Sequence, residues 1–469
     1  MVSFGFTGNY LGIVERTMTD SIASLLDESL GYASHYLRGL DQRPVGTSDE
    51  ARRRLGELEH PLPLEPVPAS QVLATLNDYG SAATTAIAGG RFFGYVCGGS
   101  LPAALAANWL ATAWDQDAGM SSVCPINATL EELVRRWLIE LFGLPAESGA
   151  AFVTGGTMAN FSALAAARHR VLADAGWDVG ANGLFGAPEI TVYAGAEAHV
   201  SVYKALSLLG FGRARVITLP VDGQGRIIAV GLPEITAPAI VCVQAGNVNT
   251  GAIDPLPELC AWAHAASAWV HVDGAFGMWA TASPEYAPLV RGIGDADSWA
   301  TDAHKWLNVP YDSGIAFVRN GDDLRAAMAT SAAYLVQTDQ REPDQFTPEM
   351  SRRARGVDIW AALMSLGRSG LAELIERCCR HAQRFASELN AAGYEILNEV
   401  TLNQVLVSFG SPEQTRRVIA AIQADGTCWC GGTTWQGRAA MRISVSSWAT
   451  TDDDIERSIA AMLRCAAAV

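Results

Sequence analysis

Four short segments of this 469-residue chain carry residue types that could do chemistry together. Thr154-Gly-Gly-Thr-Met-Ala-Asn160 runs from an apolar stretch into a helical pattern. Its glycines, Gly155 and Gly156, let the backbone approach an anion closely. Thr157 adds a hydroxyl, and the helix start offers free N–H groups and a positive dipole end. The segment matches neither G-x-G-x-x-G nor G-x-x-x-x-G-K-[ST], so it is no dinucleotide fingerprint and no nucleotide P-loop. Taken alone, a plain strand-to-helix turn explains it equally well. Val270-His-Val-Asp-Gly-Ala-Phe276 sets a carboxylate, Asp273, directly after an apolar run. An unpartnered buried carboxylate loses its charge or costs on the order of several kcal/mol, so a cation must meet it. A helix cap or a structural salt bridge is the plainer alternative. Ser298-Trp-Ala-Thr-Asp-Ala-His-Lys-Trp-Leu-Asn-Val-Pro310 places Lys305 among His304, Trp306 and Leu307. Desolvation there lowers a lysine's pKa and frees a carbonyl-reactive amine, although a lysine between aromatics is more often a snorkelling surface residue. Finally, His199 in Ala-Glu-Ala-His-Val-Ser is flat enough, when neutral, to stack on an aromatic ligand. By itself it reads as a satisfied histidine at a helix start.

The elements that must position these residues follow one theme: a short apolar run, a glycine-rich or polar turn, then a helical pattern. The runs are Ala151–Thr154, Ile190–Tyr193, Arg215–Leu219, Ala239–Gln244, Trp269–Val272 and Gly314–Val318. They do not alternate, as expected of strands buried on both faces of a mostly parallel sheet. Helical stretches at Met158–Val171, Val200–Leu209 and Glu258–Ala268 lie between them, which predicts an α/β fold with helices on both faces. In open α/β sheets ligands collect at the carboxyl ends of the strands, where the four segments fall. Residues 1–85 read as a helical N-terminal arm, with a helix over 19–40 and an extended connector at Pro61–Pro68. Residues 86–370 form the large domain. Residues 371–469 form a small α+β domain with a helix at Leu371–Leu389, strand-like runs at Gln404–Phe409 and Ala440–Val445, and a last helix opened by a capping box at Thr451–Asp454.

Composition narrows the function classes. Hydrophobic residues make up 49%, charged residues 17%, and there are 45 glycines, an ordinary globular balance. A formal charge of -16 argues against nucleic acid or an anionic membrane as partner. The short basic run Arg352, Arg353 and Arg355 reads as a solvated face. Nine cysteines form no pair at metal-ligand spacing, so no metal is expected, and they read as reduced cytoplasmic thiols. The N-terminus has no signal-peptide pattern, and the apolar stretch at 101–114 is too interrupted for a membrane span.

A phosphate cup, a ring-stacking group, a counter-charge and an amine form one inventory, and pyridoxal 5′-phosphate needs each of them from its protein. With these residues in view, the chain resembles the group II pyridoxal-dependent decarboxylases, which include the aromatic L-amino acid, tyrosine, diaminobutyrate and glutamate decarboxylases. The resemblance covers nearly the whole chain, through Arg91-Phe-Phe-Gly-Tyr95, Thr154–Asn160, Ala198-His199, His271-Val-Asp-Gly-Ala275, Asp302-Ala-His-Lys-Trp306 and Ser351-Arg-Arg-Ala-Arg355. It implies the fold of type I pyridoxal phosphate-dependent transferases and a homodimer with its active site at the subunit interface. It implies that Lys305 carries the cofactor as a Schiff base, that His199 stacks on the ring, and that Asp273 pairs with the ring nitrogen. Ala275 would pack beneath the ring, and Gly156, Thr157, Ser298 and His304 would surround the phosphate. Tyr95 and its neighbours would line the partner's substrate pocket, and Cys97 and Met120 are further expected pocket positions. The implied activity is that of a carboxy-lyase in amino acid metabolism.

Two positions depart from the family pattern. Asp302 stands where members often have Asn; an acid is unwelcome near a phosphate, so Asp302 is expected to point elsewhere. Family members usually carry a tyrosine in the loop before the Arg-Arg element, which protonates the α-carbon. Between Leu335 and Ser351 there is none, and Phe346 is the only aromatic. Tyr334 is a candidate replacement. The missing tyrosine raises an aldehyde-forming oxidative decarboxylase as an alternative to an amine-forming one. Arg442 in Met-Arg-Ile-Ser could bind an α-carboxylate, which keeps an aminotransferase of the same fold in view. No clear basic cluster awaits an acidic side chain, so an aromatic amino acid is the expected substrate. A non-catalytic binding protein is disfavoured by four intact chemical positions, and an NAD-dependent dehydrogenase by the absent glycine fingerprint.

Overall fold

The computed structural model describes residues 21–330 and 341–469. A seven-stranded sheet organises the large part of the molecule: β1 (Gly149–Val153), β2 (Thr191–Gly195), β3 (Ile217–Leu219), β4 (Ala239–Gln244), β5 (Trp269–Asp273), β6 (Ser298–Asp302) and β7 (Gly314–Val318). The spatial order is β1-β7-β6-β5-β4-β2-β3. Only β7 runs against its neighbours β1 and β6, so the other six strands end at the same edge. All six sequence-read strands are present, and β4 and β7 have the predicted limits. β6 was not foreseen as a strand, because its Ser-Trp-Ala-Thr-Asp sequence lacks the apolar run of the others.

Helices cover both faces. In chain order they include α1 (Ile22–Arg38), α2 (Pro125–Phe142), α3 (Gly156–Asp174), α4 (Val200–Leu208), α5 (Leu256–Ala265), α6 (Arg355–Ala391), α7 (Pro412–Asp425) and α8 (Asp452–Ala468). The period-2 side-chain alternation of strands splits the core in two. Val270, Val272, Trp299 and Phe317 join the larger apolar cluster, with Phe142 and Phe385. Trp269, Ala300, Ala316 and Val153 join the other, against the alanine-rich face of α3 (Ala159, Ala163, Ala166). By the same alternation His271 and Asp273 on β5, and Ser298 and Asp302 on β6, belong to the α3 side. Small side chains on α3 let that helix lie close to the sheet, which brings its first turn to the strand ends.

α6 is one long element of 37 residues with a break at Gly367 (φ 59°, ψ -175°). Beyond it an antiparallel sheet, order β10-β11-β9-β8, is built from β8 (Glu395–Ile396), β9 (Gln404–Ser408), β10 (Gly431–Trp435) and β11 (Arg438–Ser444), with α7 and α8. The capping box of α8 is formed: Thr451 Oγ1 accepts from the Asp454 N–H, and the Asp454 carboxylate accepts from the Thr451 N–H. The expectation for the arginine run needs correction. Arg352 is fully buried, pairs with Glu131, and donates to the carbonyls of Ala118 and Phe152; Arg355 is also buried, and only Arg353 is half-exposed. A buried guanidinium is tolerable because its fork meets carboxylate and carbonyl acceptors on several sides. Among the described residues no helix is long and apolar enough to cross a membrane.

Candidate active site

Three strand ends and one helix start converge at the carboxyl edge of the sheet. β1 leads into Gly155 (φ 150°) and α3, whose first turn has no side-chain cap. The N–H groups there are therefore available to an anion. Across the sheet Val153 pairs with Gly314, and Gly314 with Asp302, in one row over β1-β7-β6. A side chain at 314 would run into the Gly155 backbone at 2.5 Å, so glycine there lets the cup close over β7. A cavity of 390 Å³ opens here, bordered by Gly156, Thr157, His199, Ala275, His304 and Lys305, with Asp302 among its walls.

Lys305 and Asp273 lie just beyond and at the ends of the adjacent parallel strands β6 and β5. The Asp273 carboxylate is buried and held by two donors, Asn160 Nδ2 (3.1 Å) on Oδ2 and the Ala275 N–H (3.2 Å) on Oδ1, with Ser201 Oγ 3.5 Å from Oδ2 and its hydroxyl hydrogen directed to His199 Nδ1. The hydrogen-bond chain behind it has one consistent direction. Asn160 uses its amide N–H groups on Asp273 and Ser201 (3.1 Å), so its oxygen accepts from His271 Nε2–H (2.8 Å). His271 Nδ1 then accepts from the Ser298 hydroxyl (2.9 Å), which itself accepts from Trp269 Nε1–H (2.8 Å). Burial pushes the His271 pKa down to about 4, keeping the ring neutral as this chain requires. Every dipole in the chain points its hydrogen toward Asp273.

His199 caps α4. Its Nδ1 meets Ser201 Oγ at 2.7 Å and accepts from the Ser201 N–H at 3.3 Å. Burial holds its pKa below the usual histidine range, aided by the charges of Lys305 and Arg442 and opposed by Asp273. A neutral ring beside the cavity is what stacking on an aromatic ligand needs. His304 Nδ1 accepts from the Ser313 N–H (3.1 Å), and its ring packs on Tyr311 with centroids 4.4 Å apart.

Several expected residues are placed differently. Ser298 sits at the opposite end of β6 from Asp302, fully buried, and does not border the cavity; its hydroxyl orients His271 instead of meeting a phosphate. Asp302 points into the cavity, not away from it: its Oδ2 lies 2.9 Å from Lys305 Nζ, and a Cβ on Gly156 would come within 2.7 Å of that oxygen. Cys97 is buried with its sulfur 3.1 Å from the Tyr311 hydroxyl, one residue removed from the cavity wall. Tyr95, expected at the partner's pocket, is 67% exposed and stacks on Trp429; Met120 lies in a turn closed by hydrogen bonds from Val123 and Cys124 and does not border this cavity. Arg442 is held by the Val248 carbonyl (3.1 Å). Phe346 carries the Arg341 guanidinium on its face, 4.4 Å from the ring centre, away from the cavity. Tyr334 lies outside the described residues. Asn160, Ser201 and Tyr311 had no role in the sequence reading. A lone Asn among the alanines of α3 was the one available signal.

These residues fit pyridoxal phosphate. The uncapped start of α3 and the Gly155-Gly156 cup suit its phosphate, Asp273 has acceptor capacity left for a ring N–H, and Lys305 supplies the amine. Asp302 is the one discordant group, and its Oδ1 is buried without a hydrogen-bond partner. A lysine, a carboxylate, an imidazole and a helix start at the topological edge of such a sheet define a pyridoxal phosphate site of fold type I.

The comparisons agree with this class and narrow it. Residues 58–410 match the pyridoxal-dependent decarboxylase conserved domain, and the chain belongs to that family. It is similar to the acidic amino acid decarboxylase GADL1 of Homo sapiens, 30% identical over 324 residues, which is 66% of this chain and 61% of that protein's length. It is also similar to the aromatic-L-amino-acid decarboxylase of Bacillus atrophaeus, 26% identical over 79% of this chain and 78% of that one. Its fold is that of the crystal structure of Oryza sativa TDC with PLP and tryptamine, with a TM-score of 0.88 at 22% identity over 96% and 98% of the two chains.

Proposed function

We propose that this protein is a pyridoxal phosphate-dependent carboxy-lyase that removes the α-carboxylate of an L-amino acid as CO2 and leaves the amine. The observation that carries the reading is the pairing of Lys305 and Asp273 at the ends of two adjacent parallel strands, with His199 on the same cavity. When bound, pyridoxal phosphate supplies a ring that accepts the electron pair left by departing CO2. Lys305 would hold the cofactor through Nζ, which borders the cavity and can carry a proton there. Asp273, oriented by Asn160, would meet the ring nitrogen and favour its protonated form. His199 would cover the ring, and the first turn of α3 with Thr157 would hold the phosphate.

We further infer an aromatic substrate side chain, a homodimer with residues of both subunits at the site, a cytoplasmic location, and the three-part division at about residues 85 and 370. The aromatic reading is supported by Tyr311 beside His304, by the Tyr95–Trp429–Phe92 stack, and by the Bacillus atrophaeus relative. A dimer is supported by apolar side chains left uncovered, Ile22 and Leu26 on α1 and Tyr95 near the cavity. Nine buried, unpaired cysteines favour a reducing compartment. A second reading, oxidative decarboxylation to an aldehyde, rests on the tyrosine-free stretch between Leu335 and Ser351.

The test is to incubate the purified holoenzyme with a panel of L-amino acids and identify each product by mass. CO2 with an equal amount of amine is expected. Aldehyde with ammonia and peroxide would replace the first reading by the second. Lys305→Ala should abolish both turnover and borohydride fixation of the cofactor to protein, and a variant turning over at the wild-type rate would refute the assignment.

A further inference from the structure

His199 is tied to its own helix through one edge of its ring. Nδ1 lies 2.7 Å from Ser201 Oγ and 3.3 Å from the Ser201 backbone nitrogen. A backbone N–H can only donate, so the Nδ1 that faces it must be a bare lone pair. The Ser201 hydroxyl has two places for its hydrogen, Nδ1 at 2.7 Å and Asp273 Oδ2 at 3.5 Å. Its oxygen already accepts from Asn160 Nδ2 at 3.1 Å. The shorter contact and the backbone N–H agree: the hydrogen goes to Nδ1. The reverse arrangement, Nδ1–H into the hydroxyl and the hydroxyl onto Asp273, would set two N–H groups against each other and leave a 3.5 Å bond in exchange. Asn160 therefore serves both sides of the cavity with one amide. One hydrogen goes to Asp273, and the other to the oxygen that serves His199.

We propose that Ser201 is a positioning residue for His199: by donating to Nδ1 it leaves the ring's single hydrogen on Nε2, so that the imidazole bordering the cavity offers a neutral N–H donor from its free edge. Among the described residues no hydrogen bond reaches Nε2, which leaves that donor to a molecule in the cavity. That this molecule is the cofactor or its amino acid substrate rests on the function proposed above, whereas the position of the hydrogen does not. An imidazolium would have to aim a hydrogen at the Ser201 N–H, so the same contacts also favour the uncharged ring. Burial favours it as well. Asp273 at the end of β5 opposes it, Lys305 and Arg442 on β11 reinforce it, and Asp302 at the end of β6 opposes it. Ser201 is buried, so little water competes for its hydroxyl.

The experiment records the nitrogen-15 resonances of the imidazole rings in the full-length protein, free of cofactor and loaded with pyridoxal phosphate, between about pH 5 and pH 8. The chain has eight histidines, and the signals lost in His199→Gln identify the ring in question. A nitrogen that bears hydrogen and a bare one resonate far apart, so each spectrum reports both tautomer and charge. Wild type should show a bare Nδ1 and an Nε2–H. Ser201→Ala should raise the protonation midpoint of His199 by about 0.4–1 unit, the effect of one net hydrogen bond, which is a roughly 2.5- to 10-fold larger protonated fraction at any pH above the midpoint. Ser201→Thr, which keeps the hydroxyl, should return the wild-type value. A hydrogen on wild-type Nδ1 would overturn the proposal, as would an unchanged or lowered midpoint in Ser201→Ala, or a shift that Ser201→Thr does not reverse. If circular dichroism finds Ser201→Ala misfolded, Ser201→Cys takes its place, with a shift in the same direction because a thiol is a weak donor. Borohydride fixation of the cofactor is scored separately. Without it the cofactor site is wrongly read, while the cofactor-free spectra still decide the role of Ser201.

Discussion

Asn160 is the residue through which the fold orients Asp273, and Asn160→Leu tests that link at nearly constant volume. The substitution removes the Nδ2 donor from Asp273 Oδ2 and leaves His271 Nε2–H facing an apolar side chain in a region with no exposure. A hydrogen bond to a charged group contributes about 1.5–3 kcal/mol, and an orphaned buried donor costs about 1–3 kcal/mol. The expected loss is therefore about 2.5–6 kcal/mol. His271→Phe breaks the same bond from its other end, and the double variant leaves neither group unpaired. The two losses should then fall short of additivity by about 1–3 kcal/mol, as for residues sharing one network. Urea unfolding of the cofactor-free protein, followed by tryptophan fluorescence, gives each loss as a midpoint shift at unchanged slope. Trp269 stands in the chain itself and reports on it. Losses that add to within about 0.5 kcal/mol would mean that Asn160 and His271 are not coupled and that the directed chain behind Asp273 is not a unit.

The remaining predictions concern charge. Asp273→Asn should keep cofactor bound but lower kcat roughly 10- to 1000-fold, since an opposite charge moves a neighbouring pKa by about 1–3 units; undiminished kcat at saturating cofactor would place the ring's counter-charge elsewhere. His271, depressed by burial to about 4 from 6.5, binds its proton more readily unfolded than folded, so its contribution to stability is lost as pH falls from about 6.5 to about 4. Asp254, raised by burial to about 7 from 3.8, acts in the opposite sense, its contribution being lost as pH rises through about 4 to 7. Comparing wild type with His271→Phe isolates the first: the stability difference between pH 6.5 and 4 should shrink by about 3 kcal/mol in the variant, and equal pH profiles would show that His271 is not buried neutral.

What could be read from the sequence follows from which forces are local. β4 and β7 have their predicted limits because strands buried on both faces must be apolar throughout, and Ala239–Gln244 and Gly314–Val318 are nearly so. The same rule hid β6, whose Ser298 and Asp302 are polar and yet fully or almost fully buried. They are tolerated only because His271 and Trp269 satisfy one and Lys305 the other. Likewise Arg352 looked solvated because its partner Glu131 is 221 residues away. Lys305, Asp273 and His199 were legible because each follows a strand or opens a helix in its own segment.

Asp302 shows the sharper limit, since its residue type was noticed and its direction was not. That direction depends on the pairing of β6 with β7, on Gly314 in the same row, and on the Gly155 backbone closing over it. None of these is a property of the Asp-Ala-His-Lys segment. Had Gly314 carried a side chain, the β1 turn would have been pushed off and the carboxylate would have had water beside it. With glycine there, the acid is shut in with the amine at 2.9 Å, an arrangement that only the three-dimensional row of small residues makes possible.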